Sequence, residues 1–560
     1  MTPEYVSAET VFNREFEAQK EKVRGVSVCL ITPPSPFLAD ERVFPFLAPA
    51  KIAAELMRNS NPVELLDLSG YSNFLDVTRE YLQDTSIRTF GITATSPQVP
   101  AAVAIRDEIK AAYPDAKVIL GGPHVTLTHE AMKQNVKSGT TGRGIHDFAE
   151  ISGRFDKLVA GDGEMAIFYA IDPSDSKTII DSSTPTSPLF MAKGSLEKFG
   201  YPARHMIDLD SYHYFIDGHR AFSLIAQLGC PFECGFCGGR DVAAYRIART
   251  RPIDSISEEI REVVYNSIDR ALLDNDPKKV LTGVMFYDDE LNVSPANLEN
   301  LCIALIDFQK KLAHQIPEDK KEWLGLKTEG SGNDKRIAMR FRGFVKAELF
   351  SQEQANLMHE AGFRVLLSGI ESGSNKILSA MKKHTTREIN SRCVTFAHNA
   401  GLKFKALMSI GHPGESEETI NESIEWVLAN LKEGDEVDWT IITQYPGSPY
   451  YDQSNYIPEK NAWLFSAQDK TTGEILNLWS RATNYIADTH FYKGIPGQYT
   501  AYVWTDKLSS VDLVRLRDNA EQITRSALNM PFIEQVTARH FEHSMGQGLS
   551  HTALRKSSDF

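Results

Sequence analysis

The chain has 560 residues, 42% of them apolar and 24% charged, and a formal net charge of −14. This length accommodates about three domains of roughly 100–200 residues each, and the apolar fraction supports ordinary globular cores. The acidic balance argues against a broad nucleic-acid footprint, and no uninterrupted apolar run reaches bilayer length. Residues 1–22 are polar and charged, unlike a signal peptide, and six cysteines in so long a chain are no disulfide scaffold. A location in the reducing cytoplasm is expected.

A charged lead-in over residues 1–25 precedes an alternating α/β pattern over 26–190. Strand-like runs at 26–31, 63–68, 89–93, 117–120 and 157–160 alternate with helical patterns such as 49–58, where Ile52, Ala53, Leu56 and Met57 share a face, and 99–112. The alternation predicts βα crossovers and a doubly wound, Rossmann-like parallel sheet. Ligands of such sheets sit outside the carboxyl ends of the strands. There the sequence places a Pro-rich loop at 32–36, then Thr93, Thr95 and Ser96, then Gly121-Gly122-Pro123-His124, then Gly161-Asp162-Gly163-Glu164. Taken singly, these glycines signal only turns. Residues 172–200 are rich in Ser, Thr, Asp and Pro and read as irregular, with room for one hairpin; the linker is placed at 191–220.

An apolar run at 222–228 leads into Cys230, Cys234 and Cys237 at C-x3-C-x2-C spacing. Thiolates are soft ligands for iron–sulfur clusters and zinc. Three on one loop would hold three corners of a cubic cluster and leave the fourth iron open. A structural zinc or a closed cluster takes four protein ligands, and no fourth cysteine is near. The spacing alone also admits a zinc loop or three ordinary buried thiols. Cys29, Cys302 and Cys393 lie within apolar patterns and read as small buried hydrophobes.

Six strand-like runs follow one another over 221–450, at 222–226, 283–287, 337–341, 365–369, 404–410 and 439–443. Helical patterns at 253–268, 296–312, 352–361, 387–400 and 417–431 separate them. Six βα units predict a partial (β/α)6, TIM-like barrel, with its chemistry on loops at the carboxyl ends of strands. Those loops carry Gly238-Gly239, Asp288-Asp289-Glu290, Gly369-Ile370-Glu371-Ser372-Gly373-Ser374, Ser409-Ile410-Gly411-His412-Pro413-Gly414-Glu415-Ser416 and Tyr445-Pro446-Gly447-Ser448-Pro449. Each also has a structural reading. The 288–290 acids suit a helix start, Ser372 and Ser374 suit a cap, and Glu415-Ser416 is a helix-start signal. The polar stretch 314–335 reads as a solvated excursion or a lid. Residues 451–560 are expected to form a mixed, partly helical domain that closes the barrel and shapes the substrate pocket. It has a helix over 511–527 and aromatics (Trp463, Phe465, Trp479, Tyr485, Phe491, Tyr492, Tyr499, Tyr502, Trp504) that read as core before recognition surface. His540, His543 and His551 make no metal motif.

The thiol motif and the barrel loops resemble the radical S-adenosylmethionine (SAM) superfamily. The ordered turns of the first 190 residues resemble the cobalamin-binding domain fused to many of its members, so the resemblance spans about residues 26–450. It implies that Cys230, Cys234 and Cys237 hold a 4Fe-4S cluster whose open iron is chelated by SAM. It further implies that Gly238 and Gly239 offer backbone to SAM, that Glu371, with Ser372, bonds its ribose or amino group, and that Ser409, Gly411 and Pro413 cradle its adenine. Arg240 and Lys346 depart from the residues usual at their positions. In the first domain, Thr93, Thr95, Ser96, Gly121, Gly122, Pro123, His124, Gly161 and Gly163 would line a cobalamin channel. The D-x-H-x-x-G motif is absent from the first loop, which implies no protein histidine below cobalt and leaves His124 a tail or backbone contact. The implied activity is methyl transfer: a 5′-deoxyadenosyl radical abstracts hydrogen from an unactivated carbon, methylcobalamin delivers methyl, and a second SAM restores it. A natural-product or peptide substrate and a flavodoxin- or ferredoxin-type reductant would be the partners; no catalytic acid or base is assigned. Radical rearrangement, ring contraction or cyclisation without methyl transfer, a cobalamin-independent radical enzyme, and a non-catalytic sensing module are the alternatives.

Overall fold

The computed structural model describes residues 8–35, 42–140, 142–192, 194, 196–469, 472–488 and 500–530. Phe491, Tyr492, Tyr499, His540, His543 and His551 lie outside the described residues.

The first body is a wholly parallel six-stranded sheet of β1 (Val28–Thr32), β2 (Val63–Asp67), β3 (Thr89–Thr93), β4 (Lys117–Gly121), β5 (Lys157–Gly161) and β6 (Ile179–Ser182). The order is β2-β1-β3-β4-β5-β6. β1 is buried along its whole length, as a strand covered on both faces must be. Its alternate residues serve two cores. Leu30 packs with Ile119, Val159 and Ile167 beneath the helices Leu47–Arg58 and Gly163–Ala170. Ile31 packs with Ile92, Val118, Ile105 and Ile109 beneath the helix Val99–Ala112. The chain reverses its winding between β1 and β3, which opens a crevice at that switch point. β6 corrects the irregular reading of 172–200: Ile179 and Ile180 extend the sheet at its edge, where a half-polar sequence is tolerated.

The second body is an open, parallel partial barrel of β7 (His219–Leu224), β8 (Gly283–Phe286), β9 (Arg340–Phe344), β10 (Phe363–Glu371), β11 (Lys403–Ile410) and β12 (Glu436–Ile441), ordered as in the sequence. The third strand begins three residues later than its apolar pattern suggests. Ile337 belongs to an entry rung paired with Thr328, while Arg340 and Arg342, buried inside β9, break the pattern. Arg342 donates from its two terminal nitrogens to the Tyr214 hydroxyl at 2.7 Å and to Glu436 at 3.4 Å, while its buried Nε has no hydrogen-bond partner among the described residues.

The excursion at 314–335 holds the helix Glu318–Trp323 and the rung Thr328–Glu329. It joins the end of the helix Pro295–Gln315 to the start of β9, which places it on the amino-terminal face of the barrel, away from the strand ends. An antiparallel sheet of β13 (Asn455–Ile457), β14 (Ala462–Gln468), β15 (Ile475–Arg481) and β16 (Val503–Thr505) follows, then the helix Ser510–Ala527. That helix covers the edge strand β12, a liability in an open sheet. Glu521 accepts from the Trp439 backbone N–H at 2.9 Å, and Arg517 donates to the Trp439 carbonyl at 2.9 Å. Among the described residues no helix is long and apolar enough to cross a membrane.

Candidate functional site

The carboxyl ends of the two parallel sheets meet across a seam. On the first body, Leu30, Ile52, Gly91, Thr93, Gly121 and Gly161 line a crevice of about 100 Å³ between the sheet and its helices. The crevice runs into a cleft of about 260 Å³ shared by Lys51, Gly122, Pro123, Asp162, Gly163 and Glu164 on one side and Ile225, Leu228 and Tyr245 on the other. Gly122 has to be glycine: its φ is +95°, and a Cβ there would stand 2.7 Å from Thr93 Oγ1 and 2.8 Å from the Ala94 nitrogen.

Not every predicted first-body residue faces this space. Thr95 closes a capping box with Gln98, and Ser96 Oγ lies 2.9 Å from His124 Nδ1. The His124 ring is buried edge-on to Tyr485, at 5.2 Å between centroids, and its Nε2 has no hydrogen-bond partner among the described residues. Burial pushes its pKa down to about 3.

Across the seam, the thiol loop is anchored on every side. Cys230 N–H donates to the Tyr245 carbonyl and Gly235 N–H to the Met381 carbonyl, both at 2.8 Å. The Asp288 carboxylate accepts from the N–H groups of Ala226 and Gln227, and Asp289 accepts from Gly229 at 2.7 Å. The 288–290 acids therefore neither cap the next helix, which Ser294 does, nor stand free; two of them hold the strand that enters the loop. Burial pushes the Asp288 carboxyl up to about 7. Gly238 and Gly239 pack against Tyr445 and Tyr245, leaving 3.3 and 3.0 Å for any Cβ. Arg240 pairs with Glu233 at 3.0 Å, so its charge is spent across the loop. Cys230 and Cys234 are half-buried and Cys237 exposed, all as free thiols. Among the described residues no three His, Cys, Asp or Glu side chains are gathered closely enough for a single metal ion.

Facing the loop, Glu371 ends β10 with Lys383 at 3.3 Å and Ser409 at 2.8 Å on its two oxygens. Ser372 points elsewhere: its hydroxyl meets Ser423 at 3.0 Å and accepts from the Ser374 N–H at 3.1 Å. Gly411 and Gly414 turn beneath Val503 and Leu476 of the appended sheet, and Pro413 between them is buried. Glu415 is buried and accepts from Thr419 Oγ1 at 2.6 Å, and burial pushes its carboxyl up to about 7. Lys346 pairs with Glu348 at 2.6 Å, its Nζ 4.3 Å from the Phe232 ring centre. Lys383, His412 and Tyr450 join this constellation without having been singled out in the sequence. Only His412 had a visible signal, as the polar residue of the Gly411-to-Pro413 turn.

The Asp162–Arg249 ion pair ties the two sides together. Arg249 lies in the segment Arg249–Thr250, which pairs antiparallel with Gln227–Leu228 just before the thiol loop. It also donates to the carbonyls of Ala244 at 3.0 Å and Met191 at 3.2 Å.

A family model for the radical SAM superfamily matches residues 282–427, a span that begins downstream of the thiol loop. An uncharacterized methyltransferase of Pyrococcus horikoshii is 23% identical over 432 residues, which is 76% of this chain and 82% of that protein. Among solved structures, the radical SAM methyltransferase TsrM of Kitasatospora setae, with tryptophan substrate and a SAM analogue bound, superposes with a TM-score of 0.57 at 17% identity. That match covers 94% of this chain and 96% of TsrM. The cobalamin-dependent SAM radical enzyme OxsB, with aqua-cobalamin and SAM bound, superposes at 0.51 and 14% identity over 74% of this chain and 53% of OxsB. Residues 282–427 thus match the radical SAM superfamily model, and the chain as a whole has the two-body fold seen in TsrM and OxsB.

Proposed function

We propose that the protein is a cobalamin-dependent radical SAM methyltransferase acting on a small molecule or peptide. One observation carries the reading: the crevice at the sheet's switch point opens through the shared cleft onto Leu228 and Tyr245, the residues that flank and anchor the thiol loop. Two ligands held at these places would meet at the seam, where proximity and exclusion of water favour group transfer.

The donor sets fit the implied groups. Three soft, unbridged thiols on one anchored loop suit an iron–sulfur cluster with one open corner. Glu371, with Lys383 and Ser409 fixing its oxygens, suits a ligand carrying hydroxyl or ammonium groups, as SAM does. The crevice is apolar and walled by glycines, so backbone approaches whatever fills it. Bound together, the cluster and SAM supply a carbon-centred radical, and cobalamin supplies the methyl group. The chain's own part is to anchor the loop through Asp288 and Asp289, orient SAM through Glu371, and hold the two bodies in register through Asp162 and Arg249. No residue is assigned as catalytic acid or base. The domain limits read from the sequence, 26–190, 221–450 and 451–560, belong to this proposal. The names of the Pyrococcus relative and of TsrM support methyl transfer over rearrangement.

Anaerobic reconstitution with iron and sulfide, loading with hydroxocobalamin, desalting and measurement of iron and cobalt test the reading. About one cluster and one cobalamin retained per chain is the expected result. Cluster uptake without cobalt would exclude the methyltransferase and leave a simpler radical SAM enzyme.

A further inference from the structure

Glu371 ends β10 in a left-handed backbone conformation, φ +64°, at a shift in its register with β11. A non-glycine residue stays in that region only where its surroundings fix it. One carboxylate oxygen faces Lys383 Nζ, and the other accepts from Ser409 Oγ at 2.8 Å. A serine has a single hydroxyl proton, and here it is committed to the carboxylate. The second partner of Ser409 Oγ, His412 Nε2 at 2.8 Å, must then be a donor. A neutral imidazole protonated on Nε2 presents Nδ1 as an acceptor, and the Tyr450 hydroxyl stands 3.4 Å away to fill it. Ser409, His412 and Tyr450 are 3%, 0% and 1% exposed, so no bulk solvent competes for these groups. Burial, with Lys383 nearby, holds the imidazole neutral by pushing its pKa down to about 3.

We propose that Tyr450, His412 and Ser409 form a one-way donor chain that fixes the Glu371 carboxylate for its ligand, with His412 as a positioning residue. The proposal rests on the reading that Glu371 meets a hydroxyl or ammonium group of SAM. The chain also reaches the thiol loop. The His412 ring lies edge-on to Phe236, 5.3 Å between centroids, and the Tyr450 N–H donates to the Gly235 carbonyl at 3.2 Å. The carboxylate and the loop between Cys234 and Cys237 are thereby held by the same two residues, His412 through its ring and Tyr450 through its hydroxyl and its backbone N–H. A merely space-filling His412 would be replaceable by any side chain of similar bulk.

The test uses the full-length, cluster-loaded protein. SAM affinity is measured by equilibrium dialysis, and the reduced cluster is recorded by electron paramagnetic resonance with and without SAM. His412→Phe should weaken SAM by about tenfold or more and blunt the SAM-dependent change in the spectrum, with iron content and melting temperature preserved. His412→Gln, whose amide still donates toward Ser409, should stay within about threefold of the parent. Ser409→Ala, a smaller change that breaks the same chain, should match His412→Phe and serves if the phenylalanine variant does not fold. Unchanged SAM binding in His412→Phe or Ser409→Ala overturns the proposal, as does equal loss in the Gln and Phe variants. A parent protein that takes up cluster but no SAM overturns the site reading itself, and this chain with it.

Discussion

Gly122 is the residue where backbone and site are hardest to separate. Its φ of +95° and ψ of −176° lie in a region that only glycine enters freely. The Cβ that any other residue brings would press on Thr93 and Ala94 at the end of β3. Gly122→Ala should therefore destabilise the protein by about 1–3 kcal/mol, read from urea unfolding of the cofactor-free chain. A change below about 0.5 kcal/mol would show that the 93–94 turn moves aside freely. Glu415 illustrates the same overlap. The helix-start reading holds, because Ser416 and Thr419 complete the capping box of the helix Glu417–Asn430, yet the buried Glu415 still sits in the turn proposed for adenine.

The thiol loop draws its shape from an element that the local sequence does not reveal. Asp288 lies about sixty positions from the backbone it holds, and no short-range pattern shows that a carboxylate after β8 will accept from N–H groups after β7. Asp288→Ala should leave those donors buried without an acceptor. Unfolding free energy should drop by about 1–3 kcal/mol, and iron retained per chain after reconstitution should drop with it. Full iron retention would mean that Asp289 and Tyr245 suffice to shape the loop. The elements themselves were largely legible, because periodicity is local: β3 and the helix Val99–Ala112 fall where the pattern put them. The failures have physical causes. β6 hides in a polar run, since an edge strand needs only one buried face. β9 is displaced because Arg340 and Arg342 are buried through partners elsewhere in the chain, Glu329 and Glu436 among them. The order of thiol and glycine motifs marked the candidate site; Lys383, twelve residues past Glu371, and Tyr450, in the helical turn Pro449–Asp452, carried no pattern that set them apart from ordinary surface and core residues.

At the scale of the whole molecule, two contacts built on charged side chains tie the bodies together, and they answer different perturbations. In the first, Arg143 stacks on Tyr451 at 3.6 Å and Asp147 accepts from the Tyr451 hydroxyl. Burial pushes the Asp147 carboxyl up to about 6, against an ordinary value of about 3.9. Folded chains keep that proton to higher pH than unfolded ones. Stability from this group is complete below about pH 4, falls by about 2–3 kcal/mol as pH rises to about 6, and is level above. Asp147→Asn should abolish that fall in the variant, so that the difference between the parent and variant stability–pH curves, measured by urea unfolding from pH 4 to 8, shrinks by about 2–3 kcal/mol between pH 4 and 6; parallel curves would exclude Asp147 as its source. In the second contact, Arg249 is 1% exposed and is the basic partner of Asp162 on the cleft wall. Losing one member strands a charge, whereas losing both need not. Arg249→Met should thus lower stability by about 3–5 kcal/mol, and adding Asp162→Asn should recover most of the loss. Because the pair spans the seam, the single variant should also retain less cobalamin while its iron content holds. A double variant as unstable as the single one would mean that Arg249 acts through the carbonyls of Ala244 and Met191, and that the bodies are held in register by packing alone.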